Sequence, residues 1–239
     1  MEWVPAPVGL KLASDDVHLW RAALDCDAPV LSRLETTLSP DETARANRFI
    51  FPTDRSHFVA ARGILRELLG AYLVRPPAEL KFRYGSYGKP ALDAKASDSV
   101  LQFNLSHSGG VAIYAFSLGR RLGVDVERIR PKLAGEEIAR RYFAAREVAE
   151  LLALPIHLRP EGFFLCWTRK EAYVKAHGAG LSLPLDSFTV SLAPGRAAEL
   201  QAEDSDRWSM VSLDPAPGYV AAMVVEGRKW QSSRWGWNH

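Results

Sequence analysis

Cysteine is almost missing from this chain: Cys26 and Cys166 are the only two in 239 residues. They share no metal or redox spacing, which argues against a disulfide framework and a zinc site. Long apolar runs are missing as well, and none approaches the roughly 20 residues that a membrane-spanning helix needs. The start, Met1-Glu2-Trp3-Val4-Pro5, lacks the charged beginning and apolar core of a signal peptide, so the expected location is the cytoplasm. Excess charge is missing too. A net +2 is too small to imply a nucleic-acid partner. No G-x-S-x-G elbow occurs, which removes the usual serine hydrolase pattern. What is present, 47% apolar and 24% charged residues, is the mixture of a soluble globular protein long enough for one large domain or two small ones.

Two segments carry the chemistry: Gly123-Val124-Asp125-Val126-Glu127, and Trp167-Thr168-Arg169-Lys170-Glu171-Ala172-Tyr173-Val174-Lys175. On an extended strand Leu122, Val124 and Val126 enter a core while Asp125 and Glu127 emerge together on the other face, roughly 7 Å apart. The second segment has helical spacing, which puts Glu171 and Lys175 one turn apart on one face. Three carboxylates and a lysine suit a divalent cation holding a polyphosphate, because Mg²⁺ takes oxygen ligands and shares them with substrate phosphates. Each segment alone has a plainer explanation. An Asp-x-Glu pair is commonly a solvated strand face, and Glu171 with Lys175 is an ordinary helical ion pair of about 0.2–0.5 kcal/mol.

Other residues could serve an anion. Ser106-His107-Ser108-Gly109-Gly110 offers hydroxyl and imidazole donors beside glycines that let backbone amides approach closely; a Ser-x-Ser-Gly turn is the simpler account. Pro90 fixes the backbone direction of Lys89. Ser39, Pro40 and Glu42 form a helix start with a capping box, and the arginines that follow, Arg45, Arg48 and Arg62, need no role beyond a charged outer face.

Taken together and in order, GVDVE and WTRKEAYVK resemble the 4′-phosphopantetheinyl transferase superfamily, whose pattern is G-[IV]-D-x-E followed by [FW]-x-x-K-E-[AS]-x-x-K. Gly178 to Phe188, Tyr87-Gly88-Lys89-Pro90-Ala91-Leu92 and Phe103 to Ser108 resemble its larger, surfactin-synthetase-activating (Sfp-like) type. The likeness runs from about residue 39 to 190. It implies an enzyme that moves the 4′-phosphopantetheine group of coenzyme A onto a serine of an acyl or peptidyl carrier protein, releasing 3′,5′-ADP. It implies Mg²⁺ on Asp125, Glu127 and Glu171, with Lys175 on the pyrophosphate. It implies Lys89, Ser106 and His107 at the nucleotide end with its 3′-phosphate, and Arg45, Arg48 and Arg62 near the same phosphates. Glu127 is the first choice for the base, directly or through a metal-bound water, and Lys170 the less favoured one. The acidic carrier makes Arg140, Arg141 and Arg146 a candidate steering cluster.

The resemblance further implies an α+β fold of two pseudo-symmetric halves, each a small antiparallel sheet with a long helix, and an active site in the cleft between them. The halves are expected at 1–119 and 120–239, in a monomer. Patterning predicts strands at 17–20, 80–84, 111–117, 122–127, 188–192, 208–213 and 219–225. It predicts helices at 39–48, 55–73, 136–152 and 163–176, and leaves the tryptophan-rich end, 229–239, undecided. Two rivals are weighed. A non-catalytic coenzyme A or carrier-binding module would be expected to lack an acidic ligand, and none is missing. A Mg²⁺-dependent nuclease would set its Glu and Lys on a strand, whereas Glu171 and Lys175 have helical spacing.

Overall fold

The computed structural model describes residues 2–7, 9–84, 90–93, 100–133, 135–178 and 180–238; Lys89 lies outside them. In chain order the elements are β1 (Val4–Pro5), β2 (Asp16–Ala23), α1 (Ala28–Glu35), α2 (Pro40–Ala46), α3 (Pro52–Leu73), β3 (Phe82–Tyr84), β4 (Pro90–Leu92), β5 (Leu101–Ser108), β6 (Val111–Leu118) and β7 (Leu122–Arg128). There follow α4 (Glu136–Tyr142), α5 (Ala145–Ala153), α6 (Arg159–His177), β8 (Thr189–Val190), β9 (Leu200–Gln201), β10 (Trp208–Leu213), β11 (Tyr219–Glu226) and β12 (Gln231–Gly236). The chain is α+β and forms two compact units. One comprises Met1–Gln102, Gly110–Gly119 and Gln231–His239; the other comprises Phe103–Gly109 and Arg120–Trp230. Relative to a single boundary after residue 119, this division gives Phe103–Gly109 to the second unit and the C-terminal strand to the first.

In the first unit β1, β12, β2 and β6 lie side by side in that order. The β12 strand runs parallel to both neighbours, and β2 pairs antiparallel with β6. The sheet is therefore mixed where an antiparallel one was expected. The undecided tail supplies the difference: it enters between two strands and buries Trp235 edge-on against His18, with ring centroids 4.4 Å apart. The long helix α3 buries the stripe that its spacing predicts, Phe58, Ala61, Leu65, Leu68 and Leu69. Tyr72 in its last turn accepts the Trp20 Nε1 proton at 2.9 Å, and Tyr114 of β6 donates to the Ala61 carbonyl at 3.0 Å.

In the second unit β10, β11 and β7 form an antiparallel sheet with β11 in the middle, and α6 lies across β7 and β11. Gly123 permits that packing. A Cβ there would stand 2.2 Å from the Ala172 carbonyl oxygen and 2.4 Å from the Ala176 nitrogen, so the helix backbone rests directly on the strand. Pro160 sits in the first turn of α6, which starts four residues earlier than the apolar spacing suggests. The single helix expected over 136–152 is two, α4 and α5. The break falls at Phe143 and Ala144, both extended, where Phe143 is drawn into the core against Phe163. Glu147 restarts the helix by accepting the Ala144 amide at 2.9 Å.

Candidate active site

Strand alternation on β7 works as the sequence predicts. Leu122, Val124 and Val126 are buried in the core, while Asp125 and Glu127 share the opposite face. Glu171 and Lys175 come from consecutive turns of α6, the helix seated on this strand through Gly123. The Lys175 Nζ donates to Asp125 Oδ1 at 2.6 Å, and Ser106 Oγ donates to the same oxygen at 2.7 Å. Asp125 Oδ2 is buried and has no hydrogen-bond partner among the described residues. Glu127 Oε2 accepts from Ser108 Oγ at 2.6 Å and from Arg130 at 3.4 Å.

The electrostatics show a deficit of positive charge. Burial pushes the Glu171 carboxyl above the usual range, and the charges of Asp125 and Glu127 add to that against Lys175. Burial likewise raises Glu127, and the Asp125 charge reinforces it, while the Ser108 hydroxyl and the cations Arg130 and Lys175 oppose the rise. Among the described residues no three His, Cys, Asp or Glu side chains form a ready-made cation cage; Lys175 stands against Asp125 instead. The donor set is nevertheless what a hard divalent cation takes, and the orphaned Asp125 Oδ2 is an oxygen desolvated without recompense.

The remaining expected site residues are distributed as follows. His107 is exposed, on the strand face opposite Ser106 and Ser108, so a direct Ser106-His107 nucleophile and base pair is ruled out by the alternation. Arg45 and Arg48 are exposed in the first unit, with Arg45 over the Phe58 ring. Arg62 is buried in that unit. Its Nε donates to Glu42 Oε1 at 2.8 Å, and Arg66 donates to the other oxygen of the same carboxylate at 2.6 Å. Read as a capping-box residue, Glu42 does cap α2 by accepting the Ser39 amide, but it is also the centre of a buried ion triad. Lys170 is equally committed: its side chain is fully buried, paired with Glu147 at 2.8 Å, and donates to the carbonyls of Leu185 and Phe188. It holds α6 to α5 and to the segment after it, and has no donor left for acid-base work.

Sequence reasoning did not foresee that Asn104 and Ser108 bond to β7, Asn104 to the Val124 amide and Ser108 to Glu127. The signal was there: Asn104, Ser106 and Ser108 recur every second residue, the same period as Asp125 and Glu127.

This chain belongs to the 4′-phosphopantetheinyl transferase superfamily. The superfamily's own sequence model matches residues 121–224, and that of the 4′-phosphopantetheinyl transferase N-terminal region matches 27–118. The chain is 45% identical over 233 residues to the 4′-phosphopantetheinyl transferase HetI of a Nostoc species, covering 98% of this chain and 97% of that one. It is 30% identical to the 4′-phosphopantetheinyl transferase Sfp of Bacillus subtilis, over 81% of this chain and 84% of Sfp. A further Bacillus subtilis transferase, ffp, is 33% identical over 80% of this chain and 89% of its own length.

Proposed function

We propose that the protein transfers the 4′-phosphopantetheine group of coenzyme A to a serine of an acyl or peptidyl carrier protein, with Mg²⁺ as its metal. The observation that carries this reading is the cluster on β7 and α6: three carboxylates around one lysine, with an unpartnered buried oxygen on Asp125. The transferase relatives, matched over 98% and 81% of the chain, support it. Asp125, Glu127 and Glu171 would hold the cation. When bound, it supplies positive charge to the pyrophosphate oxygens. Lys175 balances the phosphate charge that remains, as a compact ammonium does well. Glu127, directly or through a water, would take the proton of the acceptor serine. The serine oxygen then bonds to the β-phosphorus, and 3′,5′-ADP leaves with the electron pair of the bond that breaks. Positioning and charge provide most of the acceleration.

Lys89, His107, Arg45 and Arg48 are assigned to the nucleotide end and its 3′-phosphate. Arg62 and Ser106 are assigned to the same end; in the structure Arg62 is engaged with Glu42 and Ser106 with Asp125. Arg140, Arg141 and Arg146 steer the acidic carrier, so charge reversal there should slow transfer at low salt and matter less at high salt. The working form is a cytoplasmic monomer, for which light scattering is the check. Among the described residues no helix is long and apolar enough to cross a membrane.

The test is intact-mass spectrometry of an apo carrier protein incubated with this protein, coenzyme A and Mg²⁺. The expected result is a gain of one phosphopantetheinyl group, abolished by EDTA and by Glu171→Ala. Coenzyme A binding without any gain across acyl and peptidyl carriers would make the protein a binding module.

A further inference from the structure

Ser-x-Ser on β5 and Asp-x-Glu on β7 have the same two-residue period, so one register fixes two contacts at once. Ser106 meets Asp125 and Ser108 meets Glu127. One repeat earlier, Asn104 Oδ1 accepts the Val124 amide at 2.8 Å and pins the same alignment. The two carboxylates are then treated alike. On each, a serine hydroxyl and a cation converge on one oxygen: Ser106 and Lys175 on Asp125 Oδ1, Ser108 and Arg130 on Glu127 Oε2. The other oxygen is left open. Asp125 Oδ2 is buried without a partner, and among the described residues no donor reaches Glu127 Oε1.

We propose that Ser108 is the positioning residue for Glu127: its hydroxyl commits Oε2 to the protein frame and leaves Oε1 as the oxygen presented to the reaction. The inference rests on the proposed transfer and deepens it. Ser108 is not itself a nucleophile or a phosphate donor, because its hydroxyl is used in both directions. It donates to Glu127 at 2.6 Å and accepts the Arg128 amide at 3.2 Å. That amide ties the hydroxyl to the end of the very strand that carries Glu127. A carboxylate side chain with three rotatable bonds is thereby reduced to one presentation before any substrate arrives. Partners of this kind, one bond behind a ligand, commonly set affinity or activity by roughly ten- to a hundredfold.

The experiment compares wild type, Ser108→Ala and Ser108→Thr as full chains. Mn²⁺ binding is read by electron paramagnetic resonance with coenzyme A present, and transfer to an apo carrier by intact mass. Ser108→Ala should lose roughly ten- to a hundredfold in Mn²⁺ affinity and in kcat, with the KM for coenzyme A unchanged and a cooperative melt retained. Ser108→Thr keeps the hydroxyl and should restore both. Unchanged Mn²⁺ affinity and kcat in Ser108→Ala would overturn the proposal. So would a Ser108→Thr variant as impaired as Ser108→Ala, because packing rather than the hydroxyl would then be at stake. A Ser108→Ala chain that no longer melts cooperatively would make Ser108 a folding residue and overturn it as well. Failure of the proposed transfer is distinguished by wild type: if wild type transfers nothing, the reaction assignment falls while the Mn²⁺ measurement still reports on Ser108, whereas normal transfer by Glu127→Gln would leave the reaction standing and overturn the role given to Glu127 and so to Ser108.

Discussion

Two clusters of charge lie in the two units of this molecule, and they are balanced in opposite ways. In the first unit one carboxylate, Glu42, faces two guanidiniums, Arg62 and Arg66, all three buried. Burial alone would raise the Glu42 carboxyl, yet the two arginines overcome it and hold the group below its usual range. In the second unit three carboxylates face one lysine, with Arg130 half exposed at the rim, and Glu127 and Glu171 are held above the usual range. The first arrangement holds its one anion between two cations, and the spare Arg66 donor is taken up by the carbonyls of Pro77 and Leu80. The second is short of positive charge, which is what the proposed cation would supply. A carboxylate held low by surrounding guanidiniums is a structural group, whereas carboxylates held high beside one another are candidates for a functional one.

The largest effect expected from breaking this comparison is on turnover. Asp125→Ala should abolish carrier modification in saturating Mg²⁺, a loss of at least about a thousandfold for a group that organises phosphoryl transfer, while the melting curve stays cooperative. Retained turnover, read by intact mass, would sink the assignment. Next comes Glu42→Ala, which leaves two buried guanidiniums without their anion and should cost about 3–5 kcal/mol in urea unfolding.

His18 sharpens the rule from the cationic side. Burial outweighs the attraction of Asp16 and lowers it from its ordinary 6.5 to about 4, so it is neutral in the folded protein at pH 7. Between those two values the unfolded chain binds the proton and the folded one does not. Stability should therefore fall as pH drops from 6.5 to about 4, by roughly 3 kcal/mol in all. His18→Gln should flatten that slope in thermal melts taken across the window. The smallest effect has the opposite sign: Glu171→Gln removes one of three mutually repelling anions and should raise stability at pH 7 by about 1 kcal/mol, where Glu42→Gln lowers it. A lowered melting temperature for both variants would erase the distinction between the clusters.

The second cluster was largely legible in the sequence because its parts are local and periodic. The alternation around Asp125 and the helical spacing of Glu171 and Lys175 each follow from backbone geometry alone. The first cluster was not. Glu42 fits a capping box perfectly well, and nothing local says that it also meets guanidiniums 20 and 24 residues away. The same limit explains the tail. Β12 has neither alternation nor a helical stripe, and its place beside β2 is decided by partners more than 200 residues distant. The split of 136–152 was missed for a related reason, since propensity favours one helix and only the pull of Phe143 into the core breaks it.

The contact at Gly123 has one more implication. Because strand and helix touch backbone to backbone there, the gap between the Asp-x-Glu edge and the Glu171 turn is measured by peptide groups, whose thickness no exchange of side chains alters. The site carries a ruler that sequence drift elsewhere cannot rescale. Surfaces and loops can therefore be remodelled while the spacing between the β7 carboxylates and Glu171 stays constant.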